Sequence, residues 1–303
     1  MSSHNLLEPL LDRPSDGFQQ PSLPQSIVIL SKTIIGAGSA ALPFAFEKMG
    51  FVFATVFLLL MALMTHYSID ALAASTIVSG HYSYPRCVQD MLGISLSMLL
   101  EISLVCRCGG LMVVYLVIAA DTLVGTDTLP GILPEIFGEF WDNKRALVAA
   151  LVAVVLMPVV APMRLSSSKV TSAIGLFSVG IWCFLTVVLS AISSREGRTF
   201  DWKMFPDSLS SLKDAVMLLS VVPVLATAYT CQMTVHFVMK DLRDFNQKSM
   251  SIVSAASVSI CTVIFLTIAA GSVSLFGKDV PADVLEAFTI EYVARSLDEK
   301  SVI

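Results

Sequence analysis

Apolar residues in this chain come in long runs separated by short polar connections. Phe51–Met64, FVFATVFLLLMALM, holds one hydroxyl and no charge. A helix that crosses a bilayer needs about 20 such residues. Seven segments of suitable length are predicted, at 25–46, 50–78, 94–124, 146–163, 169–192, 214–238 and 248–275. The pattern predicts an all-α integral membrane protein with a transmembrane region over 25–275. It is flanked by a disordered cytoplasmic tail at 1–24 and a hydrophilic tail at 276–303.

The first tail is polar and carries Pro9, Pro14, Pro21 and Pro24, with no basic stretch followed by an apolar core, so it does not read as a cleavable signal peptide. Glu8-Pro9-Leu10-Leu11 has the composition of an acidic dileucine sorting signal with short spacing; the alternative is a plain tail. No Asn-x-Ser/Thr sequon occurs. Orientation therefore rests on basic residues beside helix ends. The short connections holding Arg164 and Lys169, and Lys240, Arg243 and Lys248, place the N-terminus on the cytoplasmic side.

Composition agrees with a membrane protein. Hydrophobic residues make up 55% of the 303 and charged residues 14%, where a soluble domain carries about a quarter charged. The net charge of −5 and the lack of clustered Lys and Arg exclude nucleic acid as a partner. The six cysteines, five of them inside apolar stretches, form neither a disulfide framework nor a C-x-x-C pair. Cys106-x-Cys108 reads as small side chains at a helix contact. No H-E-x-x-H, G-x-S-x-G or paired catalytic carboxylates appear within the spans, so no enzyme is predicted and no cofactor other than a coupling ion.

Two segments are poor material for continuous helices. In the first, Gly36-Ala37-Gly38-Ser39-Ala40-Ala41-Leu42-Pro43 combines two glycines with a proline that lacks its N–H and crowds the carbonyl four residues back. In the sixth, Pro223 precedes a small, polar centre, Ala226-Thr227-Ala228-Tyr229-Thr230. Unwound backbone at membrane depth is tolerated only inside protein or beside a watery cavity; close packing by small residues is the alternative for either segment alone. Two interruptions five helices apart are the pattern of five-helix inverted repeats that frame a substrate at the bilayer midplane. Such a break exposes N–H groups on one side and carbonyls on the other, which suits a zwitterion. Gly36, Ala37, Gly38, Ser39 and Ala40, with Thr227, Ala228, Tyr229 and Thr230, are the predicted substrate-binding residues.

Gly36-Ala37-Gly38, then Ala41-Leu42-Pro43-Phe44-Ala45-Phe46 and Gly50, resembles the first-helix signature of the amino acid/auxin permease family. Gly109-Gly110-x-x-Val113-Val114-Tyr115-Leu116 with Asp121 resembles its third helix. Ala228-x-x-Cys231 through His236 and Asp241-Leu242 resembles its sixth. The likeness runs from residue 25 to about 285 and is nearest to plant vacuolar-type members, with sodium-coupled neutral amino acid transporters in the same family. It implies a LeuT-like fold, secondary active transport of a probably neutral amino acid as symporter or antiporter, coupling to H+ or Na+, and a vacuolar or other endomembrane rather than the plasma membrane. The family has about eleven helices. A chain with seven lacks the eighth, which contributes to the cation site in sodium-coupled relatives, so this form is expected not to transport as a monomer.

Lys32, His66, Asp70, Glu101, Arg107, Asp121 and His236 lie in or near the apolar segments, where ionisable groups are costly and often functional. Lys32 either lines a vestibule or snorkels to the interface. His66 and Asp70, four apart and on one helical face, form either a proton-responsive pair or an interhelical bond. His236 is a further candidate for proton coupling. The competing readings are a seven-helix membrane receptor, which an extracellular N-terminus would favour, and a non-transporting regulatory form.

Overall fold

The structure, a computed structural model, describes residues 22–36, 38–126, 129–130, 132–137, 140, 144–160, 169–195, 203–205, 212–242, 245–277, 280 and 284. Helix α1 (Leu23–Ile34) carries Pro24 in its first turn, where a missing N–H leaves no bond unmade. Helix α2 (Gly38–Met49) follows at an angle of 59°. Pro43 sits inside α2, so its lost hydrogen bond falls on the Ser39 carbonyl, and the chain bends earlier, between the end of α1 and the start of α2.

Helix α3 (Phe51–Ser79) starts at Gly50, φ 78°, and stops at Gly80, φ 72°. A Cβ on Gly50 would stand 2.6 Å from the Phe205 carbonyl carbon. That approach lets residues 203–205 cap the helix: the Phe51 N–H donates to the Lys203 carbonyl at 2.8 Å and the Val52 N–H to that of Met204 at 3.1 Å.

A short helix that the apolar pattern did not predict, α4 (Tyr84–Leu92), turns at Gly93 into α5 (Ile94–Val124). Its signals are Ser83 before a first-turn Pro85 and the closing glycine. A two-residue antiparallel hairpin, β1 (Gly125–Thr126) with β2 (Leu129–Pro130), pairs Gly125 with Pro130 and Thr126 with Leu129. Then come α6 (Ile132–Phe137), α7 (Arg145–Val160), α8 (Lys169–Arg195), α9 (Leu212–Ala228), α10 (Gln232–Asp241) and α11 (Gln247–Phe276).

Helix α11 is the centre of the core. It packs against α1, α2, α3 and α8, while α9 lies against α2. Its buried face mixes Met250, Val253, Phe265 and Ile268 with small polar residues. Those residues bond across to other helices: Ser257 Oγ donates to the Ile27 carbonyl at 3.1 Å and Cys261 Sγ to that of Ser31 at 3.5 Å. Interhelical hydrogen bonds of this kind contribute about 0.6 kcal/mol each in a bilayer. Helix α5 is peripheral, with Val105, Met112 and Val113 exposed, as a lipid-facing surface requires.

Among the described residues, five helices are long and apolar enough to cross a membrane, and six if α1 and α2 form one bent span. The protein is an all-helical, multi-pass membrane protein. The fourth predicted segment, 146–163, corresponds to α7; its residues 161–163 lie outside the described set, and among the described residues its apolar part, Arg145–Val155, is shorter than a span. Helix α1 begins inside the predicted 1–24 tail, whose residues 1–21 lie outside the described set. Within the predicted 276–303 tail, Val280 and Val284 are buried in a cluster with Leu275 and Phe276.

Candidate functional site

A cavity of about 530 Å³ opens where α1 gives way to α2, walled by α5 and α8. Gly36, Ser39 and Ala40 line it from the bend, Tyr115 and Ile118 from α5, and Gly175, Leu176, Val179 and Trp182 from α8. Three of the nine predicted binding residues are therefore on its wall; Ala37 lies outside the described residues. Glycine at 36 leaves room for Tyr115, whose phenol oxygen would be 2.9 Å from a Cβ there. The Gly36 carbonyl is already engaged, accepting from the Ser39 N–H at 3.0 Å and from Ser39 Oγ at 2.8 Å. Ser39 thus folds back and engages the carbonyl that precedes α2 with both its N–H and its hydroxyl.

The chain at Ala228 touches that at Gly38 without lining the cavity. A Cβ on Gly38 would lie 2.7 Å from the Ala228 Cα, so the chain around 38 and the end of α9 meet backbone to backbone. After Ala228 the helical ladder lapses over Tyr229–Cys231 and resumes in α10, within an apolar stretch, Leu218–Asp241, that counts as one span. The hydroxyls here are committed. Thr227 Oγ1 donates to the Pro223 carbonyl at 2.7 Å and Thr230 Oγ1 to that of Ala226 at 3.1 Å. Tyr229 points into the core, its hydroxyl 2.6 Å from Thr262 Oγ1 and its ring edge-on to Phe265. The freed Thr230 carbonyl accepts from Arg107 Nη2 at 3.2 Å, which gives that intramembrane arginine a partner in the gap between α9 and α10.

The ionisable residues sort by their neighbours. His66 Nδ1 is 3.0 Å from Ser254 Oγ and its Nε2 is 3.6 Å from Asp70 Oδ2. Asp70 accepts from Ser251 Oγ at 3.1 Å, and its backbone carbonyl from Gln247 Nε2 at 3.0 Å. The pair thus bridges α3 to α11. His236 is buried, stacked on Tyr84 with ring centroids 5.3 Å apart, and among the described residues neither ring nitrogen has a hydrogen-bond partner. Asp121 pairs with Arg145, tying α5 to α7. Lys32 lines the cavity, and its stem lies over Gly175, Cε being 3.6 Å from where a Cβ would stand. Among the described residues, no group of three or more His, Cys, Asp or Glu is placed to hold a metal ion.

The α8 wall of the site was not singled out from the sequence. Nothing distinguishes Gly175 or Trp182 from other residues of an apolar run. Tyr115 did stand in a quoted motif, although no contact with Gly36 followed from it.

Comparison with known proteins completes the description. Residues 19–296 match the family described as transmembrane amino acid transporter protein. Amino acid transporter AVT6E of Arabidopsis thaliana is 32% identical over 86% of this chain and 53% of its own length. Human solute carrier family 38 member 8 is 25% identical over 92% of the chain and 64% of its own length. Vacuolar amino acid transporter 7 of Saccharomyces cerevisiae is 22% identical over 82% and 49%. The chain spans about half to two thirds of the length of the curated relatives it matches. No solved structure matches it.

Proposed function

The chain belongs to the transmembrane amino acid transporter protein family, and from that premise we propose that it takes part in secondary active transport of a neutral amino acid, the substrate resting in the cavity at the bend between α1 and α2. One observation carries this reading: the cavity of about 530 Å³ lies where α1 and α2 meet at 59° and is mostly apolar, with a few polar groups converging on it. Apolar pockets with a few placed polar groups are the usual form of small-molecule sites, and a bent pair of half-helices is how transporters place one at membrane depth.

The reading extends to a LeuT-like arrangement in which the backbone meeting of Gly38 with Ala228 couples the first and sixth spans. Sliding or rocking of one against the other would open and close the cavity. The coupling ion is H+ or Na+; for H+, the His66–Asp70 pair that bridges α3 to α11 is the proposed carrier. The name of the yeast relative, a vacuolar amino acid transporter, supports an endomembrane location; the basic residues beside the helix ends support a cytoplasmic N-terminus.

The test is uptake of labelled leucine into vesicles carrying the purified chain, with an imposed pH or sodium gradient. Accumulation above empty vesicles that collapses with the gradient supports the proposal. Leucine binding with no accumulation would point to a non-transporting regulatory form. No binding at all would sink the reading.

A further inference from the structure

We infer that Arg107 is a positioning residue whose guanidinium serves as the fixed cation of the second interruption, so that the gap between α9 and α10 closes on a side chain and not on a sodium ion. The inference deepens the transport reading, on which its leucine measurements rest; its stability measurements do not depend on that reading.

Unwound backbone inside a membrane frees carbonyls, and in transporters such carbonyls and half-helix ends are where coupling cations are coordinated. Three carbonyls of this gap are engaged by the protein itself. That of Thr227 accepts from the Thr230 N–H at 3.1 Å. That of Cys231 accepts from the Thr234 N–H at 3.0 Å and from Thr234 Oγ1 at 2.9 Å. The Thr230 carbonyl is met from another element, by Arg107 Nη2 on α5 at 3.2 Å.

The guanidinium is a permanent cation, and it brings a whole charge to this gap. Among the described residues no carboxylate stands within ion-pair distance of it. Glu101, the nearest acid along α5, is six residues away, about 9 Å along the axis. The charge is left to the C-terminal end of α9, whose carbonyls are partly negative and favour a cation. Arg107 Nε is buried with no hydrogen-bond partner among the described residues, a cost that an apolar side chain at this position would avoid. A second cation about 4 Å from the guanidinium would bind about a thousandfold more weakly through repulsion alone. The residues of this gap therefore do not fit a sodium ion.

The gap is tied to the cavity through backbone. Thr230 is two residues beyond Ala228, whose backbone meets Gly38, and Gly38 adjoins Ser39 on the cavity wall. By holding the Thr230 carbonyl, Arg107 fixes one side of the contact between the first and sixth spans.

Melting temperature and labelled-leucine binding of the 303-residue chain in lipid nanodiscs test this. Each is measured in sodium and in choline at equal ionic strength, and in choline with guanidinium at a non-denaturing concentration, for the wild type, R107A and R107K. R107A should weaken leucine binding in choline by about tenfold, the loss of one charge-assisted bond. Sodium or guanidinium should recover part of that loss, and should raise the melting temperature of R107A more than that of the wild type. R107K, whose ammonium can meet the carbonyl as a point charge, should stay within a few-fold of the wild type. R107Q takes the place of R107A, with the same comparisons, if R107A does not fold.

A sodium-for-choline shift as large in the wild type as in R107A overturns the inference, because removing the guanidinium would then have opened no cation site. Leucine binding by R107A in choline as tight as that of the wild type overturns it too. So does a loss that neither cation repairs, which would make Arg107 a strut and nothing more. If the wild type binds no leucine in any salt, the cavity reading falls and the melting temperatures alone decide the role of Arg107.

Discussion

Gly38 and Ala228 meet backbone to backbone: a Cβ on Gly38 would be 2.7 Å from the Ala228 Cα and 3.0 Å from its nitrogen. This contact joins two segments 190 residues apart, which are also the two that the sequence marks as unfit for continuous helix. Since the obstructing atoms are backbone, no side-chain rotation can relieve them.

G38A is therefore expected to cost about 1–3 kcal/mol through overpacking. It should lower the melting temperature of the detergent-solubilised protein and leucine binding together. G36A offers the control. Its new methyl group would meet the Tyr115 phenol oxygen at 2.9 Å, the far end of a side chain that can swing. G36A should be markedly milder than G38A in melting temperature, and G36A combined with Y115F milder still.

Tyr229 tests whether the second interruption serves the site or the core. Its hydroxyl meets Thr262 and its ring meets Phe265, both on α11. Y229F should cost about 1 kcal/mol of stability, the net worth of one hydrogen bond, and leave leucine affinity within about twofold. A double-mutant cycle with T262V should show the two losses to be coupled, since they share that bond.

If the His66–Asp70 pair carries the coupling proton, leucine binding should be accompanied by a net exchange of protons with solution. Titration calorimetry in two buffers of different ionisation enthalpy measures that number directly. It should be non-zero in the wild type and close to zero in H66Q and in D70N. A pair acting only as a strut would leave proton exchange unchanged while S251A and S254A each lowered stability by about 0.6 kcal/mol.

His236 calls for the opposite experiment. Both ring nitrogens are buried without partners among the described residues, and the ring stacks on Tyr84. Replacing an unsatisfied buried polar group by an apolar one of similar shape is nearly neutral or stabilising. H236F should match or exceed the wild-type melting temperature and keep leucine binding. A loss of either would show that the imidazole has a role beyond packing.

Much of this architecture was legible in the apolar runs. The boundaries predicted at 50–78, 94–124 and 248–275 lie within a residue of α3, α5 and α11. Length and apolarity decide such helices, since a lipid-embedded backbone must satisfy its own hydrogen bonds. The amphipathic α4 escaped because that signal is insensitive to short polar helices. Gly50 and Gly36 were visible as glycines, but the partners that require them, Phe205 and Tyr115, were not.

The candidate site divides in the same way. The residues of the bend follow from composition alone, because glycine weakens a helix wherever it stands. The remaining walls, and the direction of every hydroxyl, depend on which helix lies against which. Thr227, Tyr229 and Thr230 have the right chemistry for a substrate contact, yet their oxygens are engaged with α9 and α11. Lys32 had two readings in the sequence, snorkelling or lining, and only the placement of Gly175 beneath its stem set it on the cavity wall. The sequence by itself determined a helical membrane protein with a weak point in its first span, because those properties are local to each stretch of chain. What surrounds that weak point was decided by the tertiary structure, because packing joins residues more than a hundred positions apart whose proximity no local pattern encodes.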